Sequence, residues 1–90
     1  MTANRETAQV PPSTAAARRE EELVTENLPL VGYLVSEVLG RVPSHVSRDE
    51  LTSAGLAALA HATRAYDDER GVPFARFAST RIRGALIDEL

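Results

Sequence analysis

Several arginines and an aromatic residue lie close together in the C-terminal part of this 90-residue chain. Arg76, Arg81 and Arg83 lie within residues 74–87, which contain no acidic residue, although the whole chain has a formal net charge of −3. Guanidinium groups pair with phosphates or read base edges, and an aromatic ring such as Phe77 stacks on an unpaired base. These residue types indicate a local nucleic-acid surface. The alternative is that Phe77 belongs to the edge of the core and the arginines are solvated.

Catalytic and metal-binding chemistry has little support in the sequence. His45 and His61 belong to no metal-binding motif, and the run at 67–69 lacks the alternating oxygen ligands of a calcium loop. The chain has no cysteine and no phosphate-binding, dinucleotide-binding or nucleophile motif. We therefore expect no enzyme, no metal and no cofactor.

Length and hydropathy are typical of one small domain. No apolar run approaches the ~20 residues of a membrane span, and the start, MTANRETAQV, lacks the apolar stretch of a secretory signal. We therefore expect a cytoplasmic protein with no membrane partner. Residues 1–17 are polar, rich in alanine and interrupted by two prolines, which predicts a disordered tail, at most fraying into a helix after Pro12, before a domain at 18–90.

The first helical pattern covers residues 18–40. Leu23, Leu28 and several valines recur at helical spacing. Pro29 interrupts this pattern and predicts a kink or break near Asn27. Gly40 is the expected C-cap, and Pro43 follows it as a stop signal.

Two further helical patterns follow. Ser47 and Glu50 form a capping box that starts the second helix, which should run to about Tyr66. The turn at 67–73 leads to a third helix, expected from Phe74 to the last residue, so that the chain would stop within a helix as a fragment does. No segment predicts a strand. The expected fold class is therefore an all-α bundle of three main helices.

The second helix has an outer side that is less polar than a solvated face. The side expected in the core consists of Leu51, Gly55, Ala58, Leu59, Ala62, Ala65 and Tyr66. The opposite side carries Ser53, Leu56, Ala57, Ala60, His61 and Arg64. Two interpretations stay open for this side: stray surface alanines, or a docking face for another helix.

The third helix also presents two sides. The core side consists of Phe74, Ala78, Ile82, Ala85 and Leu86. A neighbouring side carries Phe77, Thr80, Arg81, Gly84, Ile87 and Asp88, with Arg76 and Arg83 close to it. An aromatic ring, guanidinium groups and a glycine that lets a backbone approach form a coherent set for nucleic-acid binding.

Linked motifs extend across these helices. They are Asp49-Glu50-Leu51, Gly55, Leu59, Ala62, Ala65-Tyr66-Asp67, Arg70-Gly71-Val72-Pro73-Phe74, Phe77-Ala78 and the ending RIRGALIDEL. The set resembles region 2 of bacterial RNA polymerase sigma factors of the sigma-70 family, over about residues 20–90. The ending is most similar to the flagellar and sporulation (motility-type) subgroup, and LPLVGYLVSEVLGRVP at 28–43 resembles its region 2.1.

The resemblance implies a sigma region 2-like fold and a non-enzymatic subunit that gives RNA polymerase its promoter selectivity. In that family the region 2.2 helix docks on the clamp helices of the β′ subunit. The matching positions here are Glu50, Ser53, Ala54, Leu56, Ala57 and Ala60. Ser53 replaces the usual glutamine and Ala54 a commonly polar residue, so the resemblance implies a contact that rests more on packing than on hydrogen bonds.

The resemblance also implies DNA binding, because region 2.3 and the start of 2.4 recognise the promoter −10 element and hold the melted non-template strand. The matching positions are Phe77, Thr80, Arg81, Gly84, Ile87 and Asp88. Phe77 would stack near a flipped base, and Arg76 and Arg83 would contact phosphates.

Two further implications concern the subgroup. Thr80 and Arg81 replace the tryptophan pair of housekeeping factors, as in an alternative sigma factor. Motility-type members are commonly held inactive by an anti-sigma factor, which is therefore an expected partner. The alternative function is a small helical protein–protein interaction module that does not bind DNA and whose arginines are surface residues.

Overall fold

The computed structural model describes residues 14–42 and 45–90. These residues form three α-helices, numbered here α1 (Thr14–Arg41), α2 (Arg48–Ala65) and α3 (Phe74–Asp88), and a short 3-10 helix at Asp68–Arg70. Neither described range contains a strand. The predicted all-α bundle of three helices is therefore confirmed.

The helix α1 starts before the pattern at residues 18–40, in the segment where the sequence allowed at most a fraying helix after Pro12. Its first turn includes residues 14–17, which the sequence assigned to the tail, because alanine at 15–17 favours a helix even without apolar burial. Gly40 lies inside the last turn instead of capping it, since α1 ends at Arg41. The rest of the predicted tail, residues 1–13, and the stop signal at Pro43 lie outside the described residues.

Pro29 lies within α1 and does not break it. A proline inside a helix removes one backbone hydrogen bond and crowds the preceding turn, which costs about 3 kcal/mol. Val31 and Val35, which follow it, are fully buried in the core, and this packing holds the helix together. Just before the proline, the side chain of Asn27 donates a hydrogen bond of 2.8 Å to the carbonyl of Leu23.

Local hydrogen bonds define both ends of α2. The Glu50 amide donates to the Ser47 hydroxyl (3.1 Å), and the Ser47 amide donates to the Glu50 carboxylate (3.0 Å), which confirms the predicted capping box. At the other end Tyr66 is extended, with φ −72° and ψ 137°. Gly71 has a φ of 81°, in the left-handed region that favours glycine, and it turns the chain towards α3.

The helix α3 ends at Asp88, whereas the sequence predicted that it continues to the last residue. The amides of Glu89 and Leu90 donate to the carbonyls of Leu86 and Ile87, each at 3.1 Å. Bonds between residues three apart tighten the last turn and satisfy carbonyls that a helix end leaves open.

Three helices meet at Gly55, in the middle of α2. A Cβ atom built there would lie 2.9 Å from Val31 Cγ1 of α1, and 3.6 Å from both Ile82 and Leu86 of α3. The buried core around this point consists of Leu23, Val31, Leu34, Val35, Leu51, Leu59, Ala62, Phe74, Ala78, Ile82 and Leu86. The close approach of the helices at Gly55 fixes which sides of α2 and α3 face the core and which sides face outward.

Three residues differ from the expected core pattern. Ala65 is exposed, because α2 ends there and the chain turns away. Leu28 is 45% exposed, since it lies at the edge of the apolar stripe. Thr63 is buried although it is polar, and its hydroxyl donates a hydrogen bond of 2.6 Å to the carbonyl of Ala60, which removes most of the penalty of burial.

Candidate docking face and nucleic-acid interface

The outer face of α2 is apolar and open to solvent. Ser53, Leu56 and Ala57 are exposed and Ala60 is half-buried, so the structure brings these four predicted docking residues to one side of the helix. Leu56 remains 38% exposed. An exposed leucine among alanines gives a partner helix a shallow apolar surface with little side-chain entropy to lose.

The other two predicted docking residues have structural contacts. The carboxylate of Glu50 is held by the Ser47 amide at the start of α2, and Ala54 packs against the core. Glu50 is nevertheless exposed, one helical turn before Ser53, whereas Ala54 is half-buried. We call the outer strip of Ser53, Leu56, Ala57 and Ala60 the α2 face, and Glu50 lies at the start of this strip.

The outer side of α3 carries the predicted nucleic-acid residues. Arg76, Thr80, Arg81, Arg83, Gly84, Ile87 and Asp88 are all exposed, and Phe77 is half-buried. A Cβ atom at Gly84 would meet no atom within 4 Å beyond the neighbouring backbone of α3, so no side chain covers the helix at this point. We call this set the α3 face.

Phe77 belongs to a cluster of three aromatic rings where α2, the turn and α3 meet. Its ring centroid lies 5.5 Å from that of Tyr66 and 6.5 Å from that of Phe74, and Tyr66 contacts Phe74 edge-on at 5.1 Å. The Tyr66 hydroxyl donates a hydrogen bond of 2.6 Å to the carbonyl of Val72. Phe77 therefore lies at the edge of the core, and its ring is also accessible from outside.

The guanidinium of Arg81 lies over the Phe77 ring, with its central carbon 4.7 Å from the ring centroid. Such cation–π contacts are worth about 0.5–1 kcal/mol at exposed sites. A base that approaches Phe77 from this side therefore meets a guanidinium plane first. Guanidinium planes also stack on unpaired bases.

A cavity of about 550 Å³ opens beside this stack. It is lined by Ala65, Tyr66, Asp67, Arg70, Val72, Phe77 and Arg81. Sequence reasoning placed Tyr66 in the core and Arg70 in the turn at 67–73, and so missed both as lining residues. The sequence feature that could have indicated them is the segment from Tyr66 to Phe77. This segment turns back at Gly71, which has a left-handed backbone conformation, and the turn brings Tyr66 and Phe77 into contact.

The three arginines of the α3 face differ in their partners. Arg81 stacks on Phe77, and the Nε of Arg83 donates to the carboxylate of Glu37 in α1 at 3.3 Å. The guanidinium of Arg76 has no ion pair within residues 14–42 and 45–90. Of the three, Arg76 is therefore the one most directly available to an incoming phosphate.

Neither histidine is part of a metal-binding group. His45 and His61 are exposed, and no cluster of three or more metal-ligating side chains occurs in the described ranges. In the turn, the carboxylate of Asp67 accepts a hydrogen bond from the Glu69 amide (3.0 Å) and pairs with Arg70 (3.9 Å). No helix in the part of the chain described here has the length and hydropathy that a bilayer crossing requires.

Comparison with known families gives a match over most of the chain. The family model described as Sigma-70 region 2 matches residues 23–90. No solved structure matches.

Several curated proteins are similar to the same part of the chain. RNA polymerase sigma factor FliA of Pseudomonas aeruginosa is 37% identical over 75 residues, covering 83% of this chain and 30% of the relative. RNA polymerase sigma-D factor of Bacillus subtilis is 39% identical, covering 78% and 28%. RNA polymerase sigma factor FliA of Escherichia coli is 40% identical, covering 70% and 26%. The chain thus spans less than a third of the length of these relatives.

Proposed function

The chain belongs to the sigma-70 region 2 family, as a member of flagellar type, and from that premise we propose that it binds RNA polymerase and promoter DNA for transcription initiation. The observation that carries the proposal is the presence of two open helix faces of different chemistry on one core. The α2 face is apolar, and the α3 face combines arginines with an accessible aromatic ring.

The α2 face is proposed to dock on the clamp helices of the polymerase β′ subunit. Leu56 would be its centre, with Ala57 and Ala60 beside it and Ser53 at the rim. Small side chains let a partner helix approach closely, and burial of the exposed part of Leu56 would contribute binding free energy at about 25 cal/mol per Å² of apolar surface. Glu50 is exposed at the start of the same side and would contact the partner there, whereas Ala54 would support the face from the core.

The α3 face is proposed to recognise the promoter −10 element and to hold the non-template strand. Phe77 and Arg81 would stack on an unpaired base, while Thr80 and Gly84 allow the strand to approach the helix. Ile87 and Asp88 extend the face towards the end of α3. Arg76 is exposed and would contact a phosphate, and each such contact adds about 0.7 to the dependence of log affinity on log salt for a single strand.

Control by an anti-sigma factor is part of the proposal. Such a protein would cover the α2 face, the α3 face or both, since these are the open surfaces that the two activities need. An occupant of either face would block initiation by simple competition.

The decisive experiment changes Leu56 to Glu. Binding of the chain to core polymerase should fall more than tenfold, because a carboxylate at the centre of an apolar contact has no partner there. The matched control is Tyr33→Glu, which adds the same charge at a residue of α1 that is 63% exposed. Both variants should keep the helical circular dichroism of the parent, and unchanged binding by Leu56→Glu would refute the docking role.

A module that binds only proteins is the alternative, and one observation favours it. Arg81 and Arg83 already have partners within the chain, as surface arginines with a structural role would. Capture of a single-stranded −10 oligonucleotide by the chain bound to core polymerase separates the two functions. DNA binding predicts capture that weakens steeply with salt, whereas a protein-only module predicts none.

A further inference from the structure

Glu37 of α1 holds two arginines at once. Its Oε1 accepts a hydrogen bond from the Nε of Arg83 at 3.3 Å, and its Oε2 lies 3.9 Å from the Nη2 of Arg41. The side chain of Glu37 is 24% exposed, whereas those of Arg83 and Arg41 are 48% and 75% exposed. One carboxylate of α1 thus neutralises a cation that would otherwise add to the positive potential of the α3 face.

This contact bears on the proposed function, on which the inference rests. Arg83 is one of the arginines expected to meet a DNA phosphate, yet a carboxylate occupies it when DNA is absent. Phosphate and carboxylate bind a guanidinium through the same donors, and so they compete for it. We propose that Glu37 competes with the DNA backbone for Arg83, so that α1 sets the affinity of the α3 face.

Release of Arg83 would not leave Glu37 without a cation. Arg41 lies one helical turn further along α1 and already faces the second carboxylate oxygen. When Arg83 turns to a phosphate, Arg41 can take over the charge of Glu37. Since all three groups reach solvent, the exchange breaks only a surface ion pair, which is weak. The contact therefore lowers DNA affinity without preventing binding.

The test replaces Glu37 by Gln, which removes the charge and keeps an oxygen that can accept the bond from Arg83. Affinity for a fluorescein-labelled oligothymidylate is measured by anisotropy on the full chain, because a phosphate contact needs no particular sequence. At about 0.05 M salt, binding should become roughly two- to fivefold tighter, which is the range of a surface ion pair. The gain should shrink at about 0.3 M salt, where such pairs are screened.

Two controls separate this mechanism from a general change in charge. Glu26→Gln removes the same charge from an exposed position of α1 and should leave affinity nearly unchanged. In a chain that carries Arg83→Gln, the change at Glu37 should give no gain. Circular dichroism checks that each variant remains helical.

Three results would overturn the inference. They are an unchanged or weaker affinity of Glu37→Gln, an equal gain in the Arg83→Gln chain, and no measurable binding of the oligonucleotide by Glu37→Gln. The proposed function is judged by a different readout, capture of a −10 strand in the polymerase complex. If the polymerase complex fails to capture the −10 strand while Glu37→Gln still tightens oligonucleotide binding, only promoter recognition is rejected. If the complex captures the strand while Glu37→Gln has no effect, only the competition at Arg83 is rejected.

Discussion

Substitution of Gly55 by Ala is the sharpest test of how the bundle is built. The new methyl group would lie 2.9 Å from Val31 Cγ1, closer than carbon atoms approach without repulsion. Valine is stiff about χ1, and Val31 is itself only 1% exposed, so it has little room to move. The substitution should therefore push α1 away from α2 at the point where all three helices meet.

The size of the effect follows from two opposing terms. An added methyl group in a packed core costs about 1–3 kcal/mol, while alanine favours a helix interior over glycine by about 1 kcal/mol. Gly84→Ala isolates the second term, because Gly84 lies inside α3 with no atom beyond the neighbouring backbone of α3 within 4 Å of its would-be Cβ. We expect Gly84→Ala to raise the unfolding free energy by about 1 kcal/mol and Gly55→Ala to lie about 1–3 kcal/mol below that variant.

Thermal unfolding followed by circular dichroism measures this difference. In a domain of this size 1 kcal/mol shifts Tm by about 4–8 °C, so the two variants should differ by roughly 4 to 24 °C. The penalty of Gly55→Ala should also be smaller in a chain that carries Val31→Ala, since contacting residues couple in a double-mutant cycle. A Gly55→Ala variant at least as stable as Gly84→Ala would refute the close packing described here.

Three further changes test local features of the structure. Ser47→Ala removes the acceptor for the Glu50 amide and should lower the free energy of unfolding, measured by urea titration, by about 1 kcal/mol. The control is Ser53→Ala, at an exposed site within α2. Tyr66→Phe removes the bond to the Val72 carbonyl and should cost about 0.5–1 kcal/mol by the same measurement, whereas Tyr33→Phe at an exposed site should cost nothing. Phe77→Ala should weaken capture of a single-stranded −10 oligonucleotide by the polymerase complex by about 1–3 kcal/mol, the usual worth of a stacked base, and equal capture would contradict the stacking role.

The sequence predicted best those features that nearby residues determine. The capping box of Ser47 and Glu50 spans three positions, and the α2 face follows from a repeat of 3.6 residues. The orientation of Leu56 towards solvent and of Leu59 towards the core was therefore accessible from the sequence alone. Of the kink or break expected near Asn27, the break was wrong, because burial of the residues after Pro29 outweighs the loss of one hydrogen bond.

Contacts between distant residues were not predictable in this way. Glu37 and Arg83 are separated by 46 positions, and only the packing of α1 against α3 brings them together. The stack of Arg81 on Phe77 is different, because a spacing of four residues on a helix places two side chains next to each other. That spacing was a usable sign that the two side chains contact each other.

The early turns of α1 differ from the rest of the bundle in a way that affects how the domain opens. Residues 14–22 include no buried side chain, and the first anchor in the core is Leu23. A helical segment held mainly by its own hydrogen bonds and by the pair of Arg19 with Glu22 (3.6 Å) frays without disturbing the core. Its amide protons should exchange with water far faster than those around Gly55. A protein that binds or unwinds residues 14–22 would therefore leave the folded core intact.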